Sequence, residues 1–336
     1  MPSRRKYRPI PPRRGKDRRS RPGWARHPRP GPEKKSRDWI QISVAALPGL
    51  AAVIALAFTW QSINATNVQL QITEQGQITD RYNAAITNLG SPAADVRLGG
   101  IYALQRIMRD SPRDQPTVVA VLCAFVRDHV ALPPGSASAA WKPTKKDPAA
   151  TDVEAALTVV GQRNTAHDGD STVVDLSNSD LRGADLADDN LDGADLTGAH
   201  LDGADLGGVD LRAAHLTSAH LTGAHLTGAH LTGAIVNDAD LTGALLPFAD
   251  LTDATLDMTT LRGADLTGAI VNDALLNGAD LRGAHLEDAE LDHAQLYGAH
   301  LDIGDAAYAR KHGAVNVLVG SCDIADAQEK IARCGL

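Results

Sequence analysis

A leucine recurs at every fifth residue of this chain from Leu176 to Leu301, and only Val236 and Val271 replace it. Two residues before each of these central positions the residue is usually alanine, and two residues after it is most often glycine. A period of five matches neither the 3.6-residue repeat of an α-helix nor the two-residue alternation of a β-strand. The stretch therefore predicts a repeat architecture.

A chain can satisfy this period by turning a corner every five residues, so that four corners close a square coil. Successive coils then stack through backbone hydrogen bonds, and each leucine and alanine points inward, ~4.8 Å from its equivalents in the neighbouring coils. Glycine suits the corner because a tight turn needs positive φ or close backbone approach. Each buried leucine contributes roughly 2 kcal/mol, which is largely offset by backbone ordering. Each coil therefore depends on its neighbours for stability.

The repeat Ala194-Asp195-Leu196-Thr197-Gly198 shows the pattern most fully. It resembles the repeat of the pentapeptide-repeat proteins, and this resemblance implies a mainly β fold, a right-handed four-sided β-helix, over residues 171–303. At four repeats per coil the rod would be ~31 Å long. Because one fold can serve many functions, the resemblance identifies a fold and leaves the function open.

The first residues of the chain differ sharply in charge from the repeats. Residues 1–38 are rich in Arg, Lys and Pro, whereas the repeats are strongly acidic, and the net charge of the whole chain is −8. With so little apolar surface to bury, residues 1–38 are expected to form a disordered basic tail. A nucleic-acid-binding arm is the alternative for such a tail, but the segment that follows favours a role beside a membrane.

Residues 39–60 predict a single transmembrane helix that contacts lipid. No residue between Trp39 and Thr73 is charged, and the apolar core is long enough to span ~30 Å of hydrocarbon. Trp39 and Trp60 lie at its ends, where interfacial tryptophans are common. A cleaved signal peptide is the alternative, but the basic region and the apolar run are both longer than an ordinary signal has. The basic flank predicts a cytoplasmic N-terminus, with the remainder of the chain across the membrane.

Residues 61–130 are predicted to form a small α-helical subdomain between the transmembrane helix and the repeats. The membrane helix is expected to continue to Asn88. A second helix would begin at the N-cap Ser91 and bury Val96 and Leu98 among others, and a third would begin at Pro116.

The remaining segments are predicted to link the helical region to the repeats and to close the two ends of the rod. Residues 131–150 read as a linker. Residues 151–170 begin with a capping box at Thr151 and predict a short helix and loop that cover the first coil. Residues 304–336 lose the period and predict a C-terminal cap, with a helix at 324–333.

Acidic side chains precede many central positions and would form columns along the faces of the rod. Short polar side chains there can bond the turn backbone and keep the rod soluble. The alternative is phosphate mimicry, since some proteins of the resembling family are similar to duplex DNA in width and charge and occupy the DNA site of topoisomerases. Histidines interrupt the columns on all four sides. The candidate DNA-mimicking residues are Asp175, Asp180, Asp185, Asp195, Asp205 and Asp210.

Histidines, a common type of metal ligand, recur in the repeats. His215, His220, His225 and His230 are five residues apart and would lie on four different faces. Residues twenty apart stack, so His200 and His220 form the one adjacent pair. Zinc needs three or four converging ligands, and we therefore expect no metal site and no cofactor. The ring of histidines is expected to change surface charge between pH 5 and 7.

Several repeats have an apolar residue where a polar one is usual, and these residues form a candidate interaction surface for an unknown protein partner or for a second copy in a homodimer. One inward position also departs from the pattern, because Asp189 stands where alanine is usual. A buried carboxylate is costly, and a local bulge is expected there. The surface residues are Ile235, Leu245, Phe248, Ile270 and Leu275.

No catalytic residues are predicted, because no Ser or Cys nucleophile has a His–acid pair at useful spacing and no phosphate-binding glycine loop occurs. Cys123 falls in a predicted helix core, and Cys322 and Cys334 could pair in an oxidising compartment. The sequence therefore favours a non-enzymatic, membrane-anchored scaffold for protein–protein interaction, without direct nucleic-acid binding. The alternative is a DNA-mimicking regulator of a topoisomerase-like DNA-binding enzyme.

Overall fold

The computed structural model describes residues 38–130, 151–169 and 172–317. The chain divides into two units at Leu70, with Met1–Leu70 in the first and Gln71–Leu336 in the second. Several sequence predictions fall outside the described residues: the basic tail before Asp38, the linker 131–150, the helix at 324–333 and the Cys322–Cys334 pair.

Helix α1 (Asp38–Leu89) begins in the first unit and contains the apolar segment of the sequence. Its side chains from Leu50 to Ile72 include many large apolar groups that are about half or more exposed, among them Leu56, Phe58 and Trp60. Within the described residues one helical segment, Gly49–Leu89, is long and apolar enough to cross a membrane. Gly76 lies inside this helix and does not end it.

In the second unit, the end of α1 packs with three further helices: α2 (Ala94–Asp110), α3 (Gln115–His129) and α4 (Thr151–Gly161). Their apolar stripes meet in one core, which also holds Cys123, and α4 contacts both α2 and α3. The largest fully buried side chains of this helical subdomain are Ile101, Leu104, Ile107, Leu122 and Leu157.

The start of α2 differs from its sequence prediction. Ala93 rather than Ser91 is the N-cap, and the Ser91 hydroxyl accepts a hydrogen bond from the Ala93 N–H at 3.2 Å instead of capping the helix. Val96, which the sequence predicts to be buried, is 41% exposed. The physical reason is the direction of the first turn, which turns Arg97 toward Asp152 of α4 and leaves Val96 facing solvent.

From Asp175 onward the chain winds into four-sided coils of twenty residues. Outward residues pair in parallel with the residue twenty positions later, from Asp175 with Asp195 through to Asp280 with His300, and Gln295 pairs with Val315. The Leu196 N–H, for example, donates to the His215 carbonyl at 2.7 Å. Within residues 172–317 the pairs are single residues separated by turns, so the ladder contains no extended strands. The twenty-residue coil is as predicted. The paired segments of this β-helix are single residues rather than β-strands of several residues.

The interior of the coils is the predicted column of leucine and alanine. All central residues from Leu176 to Leu301 are at most 5% exposed. Every fifth residue from Asn178 to Gly298 has φ between 52° and 71°, which is why glycine predominates at the corners. Two small polar residues replace inward alanines, and both donate to backbone carbonyls: Ser179 to Leu176 and Thr259 to Val236.

Asp189 is buried at 3% exposure, but the predicted bulge is absent. Asn190 pairs with Asp210 in the ordinary register, and the Asp210 N–H donates to the Asp189 carbonyl at 2.9 Å. The coil stays regular because Gly161, at the end of α4, leaves room for the carboxyl group. A β-carbon added at Gly161 would overlap the Asp189 side chain.

The helical subdomain is joined to the first coil by backbone and side-chain hydrogen bonds. The Asn190 N–H donates to the Gly161 carbonyl at 2.9 Å, and Arg163 Nη1 donates to the Asn190 carbonyl at 2.7 Å. Arg163 also pairs with Asp168 at 2.9 Å. The end of α4 and the residues after it therefore cover the open end of the first coil.

At the other end, helix α5 (Ile303–Lys311) follows the last central leucine and buries Ala306 and Ala309. Sequence reasoning did not predict this helix. After it, Val315 returns to the ladder and pairs with Gln295, so the coil continues for one more position beyond the helix.

Candidate functional site

The twenty-residue coil assigns each outward residue to one of four faces, here named A to D in chain order. Face A carries Asp175, Asp195, His215, Ile235, Thr255, Leu275, Gln295 and Val315. Face B carries Asp180, His200, His220, Asp240, Thr260, Asp280 and His300. Face C carries Asp185, Asp205, His225, Leu245, Asp265 and His285. Face D carries Asn190, Asp210, His230, Asp250, Ile270 and Glu290.

The candidate DNA-mimicking acids do not form long columns. On faces A and C two aspartates are followed by a histidine, and on face B Asp180 is followed at once by His200. The negative charge along these three faces is therefore interrupted within about 10 Å at the ~4.8 Å coil spacing.

Each of these six aspartates also bonds within the protein. Asp185, Asp195 and Asp205 each accept the backbone N–H two residues later, at 3.4, 3.0 and 3.2 Å. Asp175 forms an ion pair with Arg127 of α3. These contacts fit the structural role considered for outward acids, in which a short carboxylate satisfies the turn backbone.

Asp180 and Asp210 are held by arginines two residues later in the sequence. Arg212 donates to both oxygens of Asp210 at 2.8 and 2.6 Å, and these hydrogen bonds lower the carboxyl pKa of Asp210 despite its partial burial. At Asp180 burial acts to raise the pKa, but the hydrogen bonds from Arg182 outweigh it, so the pKa is lowered. At each of these two positions an arginine offsets the negative charge that phosphate mimicry would require.

The two stacked histidines of face B are brought together as predicted. Their ring centroids are 4.3 Å apart, and His200 is only 8% exposed. Burial, followed by the neighbouring His220, lowers the pKa of His200 although Asp202 and Asp180 act in the opposite direction. Among the described residues no group of three or more His, Cys, Asp or Glu side chains is placed to hold a metal ion.

The five candidate interaction residues lie on three faces rather than in one patch. Ile235 and Leu275 lie on face A with Thr255 between them, and Leu245 lies on the opposite face, C. Ile270 lies on face D, and Phe248 lies at the corner between C and D. The structure therefore separates Ile235 and Leu275 from Leu245.

Phe248 is the most exposed of these residues, at 69%, and Leu245 is 39% exposed. Phe248 occupies a corner with φ of 58°, a conformation that is unfavourable for a bulky residue. Its ring lies against Gly268 of the next coil, where an added β-carbon would come within 2.7 Å of the ring. Gly268 precedes Ile270 by two residues, so Leu245, Phe248 and Ile270 share this corner.

Sequence reasoning missed Met258, which is 64% exposed at the diagonally opposite corner of the same coil. Met258 has φ of 60°, and its sulfur lies against Gly278 of the next coil. The sequence contains a signal for Met258. Gly, Asn and Asp predominate at this corner position, and a bulky Met departs from that pattern in the same way as Phe248.

Comparison with protein families matches residues 175–302 to pentapeptide repeats, in eight copies. Comparison with curated proteins gives no significant match. The family match therefore covers the coiled region, residues 175–302, and rests on its five-residue repeat.

Solved structures of pentapeptide-repeat proteins are similar to this region. HetL, which is involved in heterocyst differentiation regulation in the cyanobacterium Nostoc sp. strain PCC 7120, is 33% identical over 39% of this chain and 68% of its own, with a TM-score of 0.21. Rfr23 from the cyanobacterium Cyanothece 51142 is 30% identical over 32% of this chain and 60% of its own, with a TM-score of 0.18. A thylakoid-lumen protein from Arabidopsis thaliana is 29% identical over 42% of this chain and 91% of its own, with a TM-score of 0.17.

Proposed function

The chain belongs to the pentapeptide-repeat family through residues 175–302, and from that premise we propose that it is a non-enzymatic, membrane-anchored scaffold that binds another protein. Helix α1 anchors the chain in lipid through residues 39–60. The helical subdomain follows the anchor, and the four-sided coil displays its side chains to a partner.

The observation that carries this proposal is the exposure of α1. Large apolar side chains from Leu50 to Trp60 are about 48–71% exposed, which is costly in water but favourable in a bilayer. No charged residue lies between Trp39 and Thr73. Lipid is the environment that covers such a helix along its whole circumference.

A scaffold role is supported by what the outward side chains do. The aspartates of the repeats bond their own corners, arginines or neighbouring coils. Among the described residues the only cysteine, Cys123, lies in the helical core, where burial raises its thiol pKa to about 12. A thiol in that state is a poor nucleophile.

Membrane anchoring is tested with a C-terminally tagged full-length protein and a variant that lacks residues 39–60. The full-length protein should stay with the membranes after alkaline carbonate extraction, and the variant should be released. Protease added outside intact cells should remove the tag from the full-length protein if the repeats lie across the membrane from a cytoplasmic N-terminus. A full-length protein that is freely soluble contradicts the anchor, and a protected tag in intact cells that becomes sensitive on lysis contradicts the orientation.

A second candidate function, a DNA-mimicking regulator of a topoisomerase-like enzyme, is favoured by the acidic repeats. Such a regulator must act in the cytoplasm. It is tested by adding the purified protein to a DNA-relaxation assay and comparing a variant with Asp195→Asn and Asp205→Asn. Loss of relaxation with wild type but not with the variant would support mimicry, and unchanged relaxation with both would reject it.

A further inference from the structure

The corner between faces C and D carries an apolar patch made of Leu245, Pro247, Phe248 and Ile270, named here the C–D patch. Leu245, Pro247 and Phe248 are nearly consecutive, and the contact between the Phe248 ring and Gly268 brings the next coil, with Ile270, beside them. Elsewhere along this corner the preceding coil has Thr227 and Gly228, and the coil before that has two glycines, Gly207 and Gly208. The patch is therefore local to the middle of the rod.

The fold does not require a phenylalanine at position 248. The corner requires positive φ, which glycine adopts without steric cost and a phenylalanine does not. The ring is 69% exposed, so it contributes little to the core. A residue held in an unfavourable conformation with an exposed aromatic ring is a reason to look for a ligand, and exposed aromatic rings are frequent anchors of protein interfaces.

The charged side chains around the C–D patch indicate which charge a partner should carry. Asp250 lies beside Ile270 on face D and Asp265 lies beside Leu245 on face C. The next coil adds Glu287 and Asp288 at the corner and Glu290 on face D. No Lys or Arg occupies an outward position of faces C and D or of the corner between them, within residues 185–290. His225 lies beside Leu245 on the side away from Asp265, and the carboxylates around the patch make its border mainly acidic.

We propose that the C–D patch binds a basic amphipathic segment of a partner protein. The partner places apolar side chains against Phe248 and Leu245, and its Lys or Arg side chains lie over Asp250, Asp265 and Glu290. Apolar contacts hold the partner segment on the patch, and charge complementarity sets the orientation of that segment and the rate of encounter. This inference rests on the proposed scaffold function and specifies the chemistry of its partner.

The test uses the full-length protein in nanodiscs of neutral phosphatidylcholine, with empty nanodiscs as the blank. The probe is a synthetic helical peptide of leucine and lysine that carries a fluorophore and one photo-crosslinking benzophenone. Binding should weaken as salt rises, because the border is acidic. Crosslinks should fall on residues 245–270 of faces C and D rather than on face B.

Two substitutions at opposite corners of one coil distinguish peptide binding at the C–D patch from non-specific binding to the acidic rod. Phe248→Gly should weaken peptide binding by tenfold or more. Met258→Gly should leave it within twofold, although Met258 is nearly as exposed and has a similar positive φ. Both replacements introduce the residue most common at corners, so both variants should unfold at or above the wild-type temperature, which a thermal scan checks.

Three outcomes would overturn the inference. Equal affinity of the Phe248→Gly and Met258→Gly variants would show that the peptide binds only by charge. Crosslinks on face B would place the binding elsewhere. A wild-type dimer in sedimentation that Phe248→Gly dissociates would make a second copy the occupant. Carbonate extraction of the same variants reports on the membrane anchor alone, so a failure here is distinguishable from a failure of the proposed anchor.

Discussion

At the scale of single residues, two adjacent leucines differ completely in environment. Leu246 is a central residue with 0% exposure, whereas Leu245 is 39% exposed on face C. Leu246→Ala should lower the free energy of unfolding by about 2–5 kcal/mol because it leaves a cavity in the column. Leu245→Ala should change it by less than about 0.5 kcal/mol. Urea unfolding followed by circular dichroism measures both, and similar losses for the two variants would contradict the inward direction of the period.

Asp189 gives the rod a pH dependence that its alanine counterparts lack. Burial, followed by the charges of Asp185, Asp188 and Glu154, raises the pKa of Asp189 to about 7 from an ordinary value of 3.8. Between these values the folded state keeps a proton that the unfolded state has released, so the free energy of unfolding falls as pH rises from about 4 to 7. Below pH 4 both states are protonated, and above pH 7 the penalty is constant.

Asp189→Ala should therefore remove this fall in stability and raise the free energy of unfolding at pH 8 by about 2–4 kcal/mol. Denaturation of wild type and variant at pH 4, 5, 6, 7 and 8 provides the measurement. Asp253→Gly, at an exposed corner, serves as the control and should keep the wild-type slope. A constant difference between wild type and Asp189→Ala at every pH would argue against titration of this carboxyl.

At the scale of elements, α2 is tied to α4 by a buried ion pair. Arg97 Nε donates to Asp152 Oδ2 at 2.5 Å, and the Asp152 side chain is 1% exposed. Burial alone would raise the pKa of Asp152, but the hydrogen bond from Arg97 leads the opposing contributions and the pKa is lowered. Its other oxygen, Oδ1, has no hydrogen-bond partner among the described residues.

Arg97→Leu should cost about 3–5 kcal/mol of unfolding free energy because it leaves a buried carboxylate without its cation. The double variant Arg97→Leu with Asp152→Leu should recover most of that loss, since apolar replacements of buried pairs are often nearly neutral. Chemical denaturation of the two variants gives the comparison. A double variant as unstable as the single one would mean that Arg97 acts through packing and through its bonds to the Ser91 and Pro92 carbonyls.

The coil itself predicts which residues are close in space. Thr222 and Thr242 are twenty residues apart and therefore adjacent along one corner, at ~4.8 Å, within the range for a disulfide. A Thr222→Cys, Thr242→Cys variant should form this disulfide on mild oxidation, and Thr222→Cys with Thr232→Cys should not. Cys322 and Cys334 are replaced by serine in both, while Cys123 is buried and can stay. Mass spectrometry after proteolysis identifies the pairs, and crosslinking at a spacing of ten would contradict the four-sided coil.

At the scale of the whole molecule, charge is separated along the chain. Residues 1–38, before the apolar segment, are rich in Lys and Arg, whereas the repeats are rich in Asp. If the positive flank orients α1, replacing the Lys and Arg residues of 1–37 with Gln should increase the fraction of chains with a cytoplasmic C-terminus. Replacing an equal number of rod aspartates with Asn should have little effect, because acidic residues contribute little to orientation. Protease removal of a C-terminal tag in intact cells measures the fraction, and an unchanged ratio in the first variant would contradict this mechanism.

The period of five could be predicted to produce a stacked coil because it is a local rule. Each repeat has the same inward leucine and the same corner. Four repeats, or twenty residues, therefore determine which residues of successive coils pair, without any contact to a distant part of the chain. The exposed corner at Phe248 follows from the same rule, since an exception to a strict pattern is visible in the sequence. The apolar segment of α1 can also be predicted from the sequence, because the length of the uncharged apolar run is read directly from its composition.

Other features depended on contacts between segments far apart in the chain. The sequence predicted a bulge at Asp189, but Gly161 of α4 makes room for the carboxyl and the coil stays regular. Helix α5 forms where apolar periodicity is weak, because Ala306 and Ala309 pack on the last coil. The period of twenty already places Ile235 and Leu275 on one face, with Thr255 between them, and the structure agrees. By itself, the sequence determined the coil, its interior and the face of each outward residue, whereas only tertiary packing decided how the ends are closed, because those contacts depend on residues that the local repeat does not contain.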